Sequence, residues 1–421
     1  MPLLTKQMSE GVQVPLRPNF PAVTCPVQVS LTTGVLPEYH GIIANGLYYR
    51  EKGEFEMWTA WNEAIQAPQI WETLKTQRPE LNTAVWFPLL CKGAKADYIC
   101  TPAPIHNPDG TESLWCYTKP TELYGQYRDE LGHFPLMNFW GPMASIKSSQ
   151  WICDSAVKAA EAYHPDFLYL YVPHLDYAPQ KFGPNAPESI AALKEFDTLL
   201  SSFMQQYQQQ YDSPVQFLLA SEYAITEVDH VSYPNRILRE AGLLGVQQDH
   251  GGEVIDVANT PAWVMVDHQC GHVFVKNAED VSRVADLFRN VEGIEQVLVG
   301  TERARLGLDC ENSGEIVLVS TPNSWQAYYY WEDDAKAPQF AHTVDIHRKP
   351  GYDPVEMFFD PVKKGTPLDA TLIKGSHGYP ATSPEREGVL LSSLPLEITG
   401  EIVQDTDVAG LCLKHFGVVA E

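Results

Sequence analysis

Two apolar runs separated by one long helical pattern constrain this chain more than any other feature. Residues 166–173 (DFLYLYVP) and 215–220 (VQFLLA) are short, continuous and apolar, the composition of strands buried in a parallel sheet. Between them Ile190, Leu193, Phe196, Leu200, Phe203, Met204 and Tyr207 recur at helical spacing, and Pro187 suits a first helical turn. Strand, helix and strand in succession predict a βαβ unit, and with it a sheet covered by helices on both faces. Ligands of such sheets lie just past the carboxyl ends of the strands. That directs attention to HLDY (174–177) and SEY (221–223).

From about residue 252 to 331 the rhythm changes. Strand-like 262–266 and 271–275, a helix-like stretch 278–290, and strand-like 295–299 and 315–319 predict a small α+β insert. The expected organisation is a core formed by 1–250 and 340–421, with 253–335 as a cap. The core resumes at KGSHGYP, a strand over 388–393 and an amphipathic helix over 405–415.

A formal net charge of −25, from 29 basic and 54 acidic residues, argues against a nucleic-acid duplex or an anionic membrane as partner. No apolar run reaches spanning length, and the first residues lack the apolar segment of a signal peptide. The eight cysteines are scattered without a C-x-x-C pair, so reduced thiols and a cytoplasmic setting are expected. Oligomeric state is not legible.

Residues 20–46, FPAVTCPVQVSLTTGVLPEYHGIIANG, carry the most specific pattern. By chemistry alone Thr24 is one hydroxyl among several and reads as structural. The segment as a whole resembles the nucleophile region of the type I phosphodiesterase/nucleotide pyrophosphatase family, within the alkaline phosphatase superfamily. There a Thr stands ten residues before the Gly of a T-G-x-x-P-E-x-H-G-I-I-x-N string, as Thr24 stands before Gly34 here. The resemblance implies a three-layer α/β/α sandwich with a smaller α+β cap. It implies Thr24 as nucleophile and Asn45 as the group holding a phosphoryl oxygen. A phosphorylated small molecule is the implied substrate.

Other anchors follow in order. LDYAPQKFGP places a metal-binding carboxylate on Asp176 and sets Gln180 where the family has His. SEYAI stands for S-D-H-G-M, giving Glu222 a carboxylate and Tyr223 the place of a second His. GSHGY supplies the late His, His377. The first metal site would then draw on Asp176, Gln180 and His377, and the second on Thr24, Glu222 and Tyr223. The family uses divalent ions, zinc by resemblance, and the exchange of nitrogen for oxygen ligands favours magnesium, manganese or calcium. The family's opening strand, which ends in a metal-binding Asp, has no counterpart: MPLLTKQMSEG resembles the helix after it.

Three further residues are second-tier metal candidates. His174 lies two before Asp176, and Asp345 with His347 opens DIHRKPGYDP. On a strand, Asp345 and His347 would share a face; the other reading is a hydrogen-bonded loop anchor. For His40 and His106 a structural role is expected. Three functions are open: a metal-dependent phosphoryl hydrolase working through Thr24, a catalytically impaired relative that binds a phosphorylated small molecule, or a superfamily enzyme with altered metals whose substrate is unrelated to nucleotides.

Overall fold

The computed structural model describes residues 1–106 and 112–419, apart from the side chains of His106 and Glu112. The structural role expected for His106 therefore lies outside the described residues. Two four-stranded sheets form the core. One has the order Leu218–Ala220, Gly388–Ser392, Gln13–Arg17, Val403–Gln404; the other runs Cys116–Lys119, Tyr98–Pro102, Thr83–Trp86, Phe167–Leu170.

Side chains alternate between two helical layers, as the period of a strand requires. Leu168, Leu170, Leu219 and Leu391 pack against Ile146–Tyr163 and Pro187–Gln208 on one side. On the other, Leu390 packs with Val27 and Leu31 of Thr24–Thr33, and Phe167 with Leu74 of Ile70–Gln77 and Leu413 of Asp407–His415.

Strand, helix and strand follow in the expected order, with the helix at Pro187–Gln208, but the two strands belong to different sheets, so the expected βαβ unit within one sheet does not form. Among the described residues Phe167–Leu170 pairs only with Thr83–Trp86, and Leu218–Ala220 only with Gly388–Ser392. Among the described residues no strand lies between these edges, and the apolar cluster over the helix couples the two sheets.

A third sheet, ordered Ala262–Asp267, Cys270–Val275, Ile316–Ser320, Ile294–Val299, is wholly antiparallel and separate from the other two. It packs with the helix Val281–Phe288 and the aromatic run Trp325–Trp331. Its first hairpin turns on His268 and Gln269, with His268 at φ 56°, a left-handed conformation uncommon outside glycine. No helix among the described residues is long and apolar enough to cross a membrane.

Candidate active site

Thr24 is the first residue of a ten-residue helix, Thr24–Thr33, that Gly34 ends at φ 79°. The helix is buried almost all round, which its hydroxyls permit by bonding back to the preceding turn: Thr32 Oγ1 donates to Gln28 O at 2.9 Å and Thr33 Oγ1 to Val29 O at 2.7 Å. His40 closes the following turn. Its Nδ1 accepts from Ile42 N–H and its Nε2 lies 3.0 Å from Ser30 Oγ, while burial pushes its pKa down to about 3. His40 is structural, as expected.

The structure brings Thr24, Tyr223, Asp176, Gln180 and His377 into one cluster. Thr24 Oγ1 lies 3.0 Å from Tyr223 Oη, which donates to Asp176 Oδ1 at 3.2 Å. Gln180 Nε2 donates to Asp176 Oδ2 at 2.8 Å, and Gln180 Oε1 accepts from Tyr352 Oη at 3.0 Å. His377 Nδ1 lies 2.7 Å from the Ala22 carbonyl, and its Nε2 lies 3.7 Å from Asp176 Oδ1. Asn45 adjoins: its Oδ1 accepts from Cys25 N–H at 2.9 Å, and its Nδ2 donates to Asp267 Oδ1 at 3.0 Å. Glu222 accepts from Gln28 Nε2 at 2.6 Å.

Burial governs the electrostatics. It lifts Asp176 to about 6 against the pull of Tyr223 and Gln180, Glu222 to about 8 and Asp267 to about 7. It lowers His377 to about 3 and His268 well below the usual histidine range. The Tyr223 hydroxyl is held well above its ordinary pKa by burial and by the Asp176 and Glu222 carboxylates.

Three residues that the sequence motifs do not mark also reach the cluster. Asp267 accepts the Asn45 backbone N–H at 2.6 Å as well as its side chain. Tyr223, His377, His268 and Tyr352 form a column of rings with successive centroids 3.6, 3.7 and 3.8 Å apart. Only the polar turn DHQC, interrupting the third sheet's apolar strands, hints at Asp267 and His268 in the sequence.

The second-tier candidates fall elsewhere. His174 Nε2 pairs with Glu195 at 3.0 Å. Asp345 and His347 lie in an irregular turn, so the shared strand face expected of them does not exist. Asp345 accepts from the Arg348 backbone and guanidinium, and His347 Nδ1 faces the Met57 carbonyl at 3.0 Å. Their arrangement is the loop anchor.

Among the described residues no three His, Cys, Asp or Glu side chains already surround one point. The donor set fits the implied ions unequally. Gln180 Oε1 accepts from Tyr352, burial holds the Tyr223 hydroxyl well above its ordinary pKa, and Glu222 accepts from Gln28. Asp176 and His377 fit one cation. The Ala22 carbonyl fixes the proton of His377 on Nδ1, leaving a buried Nε2 lone pair with no partner.

A model of the type I phosphodiesterase/nucleotide pyrophosphatase family matches residues 1–353. Phosphonoacetate hydrolase from Sinorhizobium meliloti, solved with phosphonoformate, superposes with a TM-score of 0.61 at 17% identity over 97% of this chain and 88% of its own. Murine ectonucleotide pyrophosphatase/phosphodiesterase 5, an inactive variant with AMP, superposes with a TM-score of 0.62 at 15% identity over 100% of this chain and 90% of its own. An uncharacterized pyrophosphatase/phosphodiesterase of Schizosaccharomyces pombe is 23% identical over 207 residues, 48% of this chain and 36% of that protein's length. The chain belongs to the type I phosphodiesterase/nucleotide pyrophosphatase family and has the alkaline phosphatase-superfamily fold.

Proposed function

We propose that this family member hydrolyses phosphodiester, pyrophosphate or related phosphoryl bonds of a small molecule, with Thr24 as nucleophile. The observation that carries the reading is the chain of three oxygens from Thr24 through Tyr223 to Asp176. Tyr223 donates its proton to Asp176, so its oxygen is available to accept from the Thr24 hydroxyl. Attack by Thr24 Oγ1 forms a phosphothreonine ester and breaks the bond to the leaving group, which is protonated by water, as the threonine proton passes to Tyr223 and the Tyr223 proton passes to the Asp176 carboxylate. Water then cleaves the ester and returns the hydroxyl. A divalent cation held by Asp176 and His377 would neutralise charge on the phosphoryl oxygens. Asn45 holds the start of the helix by accepting from Cys25 N–H, which fixes where Thr24 stands. The 253–335 lobe contributes as a cap whose hairpin turn closes over the site.

The second reading is a catalytically impaired binder that holds a phosphorylated small molecule through Asn45, whose Nδ2 gives one of its two protons to Asp267 and keeps the other for a phosphoryl oxygen. Incubation with a generic aryl phosphodiester and mass analysis of the quenched protein separate the two. The hydrolase reading expects turnover and a phosphoryl adduct on Thr24. Intact substrate with saturable binding would establish the impaired relative instead.

A further inference from the structure

We propose that Asp267 is a positioning residue of the phosphoryl site: from the hairpin of the third sheet it orients Asn45, so that one amide proton faces the phosphoryl group beside Thr24. The inference deepens the proposed function and rests on Asn45 as the holder of a phosphoryl oxygen.

Each end of the Asn45 amide is specified. Its Oδ1 accepts from Cys25 N–H at 2.9 Å, its Nδ2 donates to Asp267 Oδ1 at 3.0 Å, and its backbone N–H donates to Asp267 Oδ2 at 2.6 Å. The carboxylate thus spans the main chain and the side chain of one residue, and of the two Nδ2 protons it takes the one on the backbone side. The other stands on the Oδ1 side, where Cys25 N–H and, one residue earlier, Thr24 lie. A flipped amide would turn its oxygen on the Asp267 carboxylate and its NH2 on Cys25 N–H, so both ends forbid it. The ionised acceptor also polarises the amide, which strengthens the proton that remains as a donor.

Holding the hairpin against the core does not require this acid. Gln269 N–H donates to His377 O at 3.1 Å, and His272 Nε2 lies 3.1 Å from Ile43 O. Gly46 allows the close approach: a Cβ there would lie 2.2 Å from Met57 Sδ and 3.0 Å from Sδ of Met265, two residues before Asp267. Asp267 itself is fully buried, and among the described residues no lysine or arginine pairs with it; its other neighbour is His268 Nδ1 at 3.4 Å. A carboxylate in the interior without a cation is costly. Burial opposes its charge, and the Asn45 donors favour it. A buried charge aimed at one amide has orientation of that amide as its effect.

Nuclear magnetic resonance of wild-type protein, isotope-labelled at the asparagine side-chain nitrogens, reads the two protons separately. The Asn45 pair is assigned by its loss in Asn45→Ala. In the free protein one proton is expected at low field and protected from exchange, the one bonded to Asp267. Titration with phenylphosphonate in zinc-containing buffer should move the other proton downfield and leave the first in place.

Asp267→Asn keeps the shape and removes the charge. It should weaken phenylphosphonate about tenfold, the scale of one lost hydrogen bond, and because the effect passes through Asn45 it should cost nothing further in an Asn45→Ala background. Wild-type affinity in Asp267→Asn, or the same loss when Asn45 is already alanine, would overturn the role of Asp267 while Asn45→Ala alone still weakens binding. A wild-type pair in which neither proton moves on phenylphosphonate would overturn it without any variant. Wild-type affinity in Asn45→Ala, or no phenylphosphonate bound by wild type, would overturn the reading of Asn45 and the proposal with it.

Discussion

Tyr223 lies flat on His377, ring centroids 3.6 Å and planes 7° apart, while its hydroxyl stands between Thr24 and Asp176. The ring and the hydroxyl thus serve separable ends. Tyr223→Phe keeps the stack and removes the oxygen chain. Stability should fall by only about 1 kcal/mol, the net worth of a typical hydrogen bond, and turnover by about 100-fold or more, the usual scale of a lost proton-transfer group. Urea midpoints and initial rates measure both. Undiminished turnover in this variant would exclude Tyr223 from the proton path.

Lys349 is buried with two carboxylates, its Nζ 2.8 Å from Asp353 and 2.6 Å from Glu356. Replacing it by methionine leaves both acids without a cation in the interior. Loss of one partner from such a group costs about 3–5 kcal/mol. Because Tyr352 belongs to the same loop and holds Gln180, the variant should also lose order around Asp176. Chemical denaturation that shows a loss below 1 kcal/mol would mean the loop relaxes to solvate the acids.

Glu222 sets a pH dependence for the metal-free protein. Burial raises its folded-state pKa from 4.5 to about 8. Between those values the native state holds a proton that the unfolded chain has released, so this group's contribution to stability is full below pH 4.5 and is lost as pH rises through 8. Glu222→Gln removes the titration. Its urea midpoint should gain on wild type as pH goes from 5 to 8; a difference constant across that range would show that Glu222 is already ionised in the fold.

The sequence disclosed the helix Pro187–Gln208 because one face is apolar and the other is not. It did not disclose Thr24–Thr33, which is buried on nearly every side and rich in β-branched and hydroxyl residues, so no periodic face exists to be read. Register against a known motif located Thr24 and Asn45 where periodicity could not. Motif matching fails in turn for His268 and Tyr352, which come from distant segments and reach the site only when the third sheet's hairpin docks on His377. Asp345 and His347 illustrate the converse error: spacing two apart signals a shared face only on a strand, and Arg348 and Met57 hold them in a turn instead.

Thr24→Ala tests the central claim most directly. The substitution deletes the hydroxyl that faces Tyr223 and touches neither Asp176 nor His377. The decisive measurement is turnover of an aryl phosphodiester by wild type and Thr24→Ala, with bound metal quantified on the same samples. The account predicts chelator-sensitive turnover in wild type, none detectable in Thr24→Ala, and nearly equal metal content in the two. Turnover undisturbed by Thr24→Ala would contradict it.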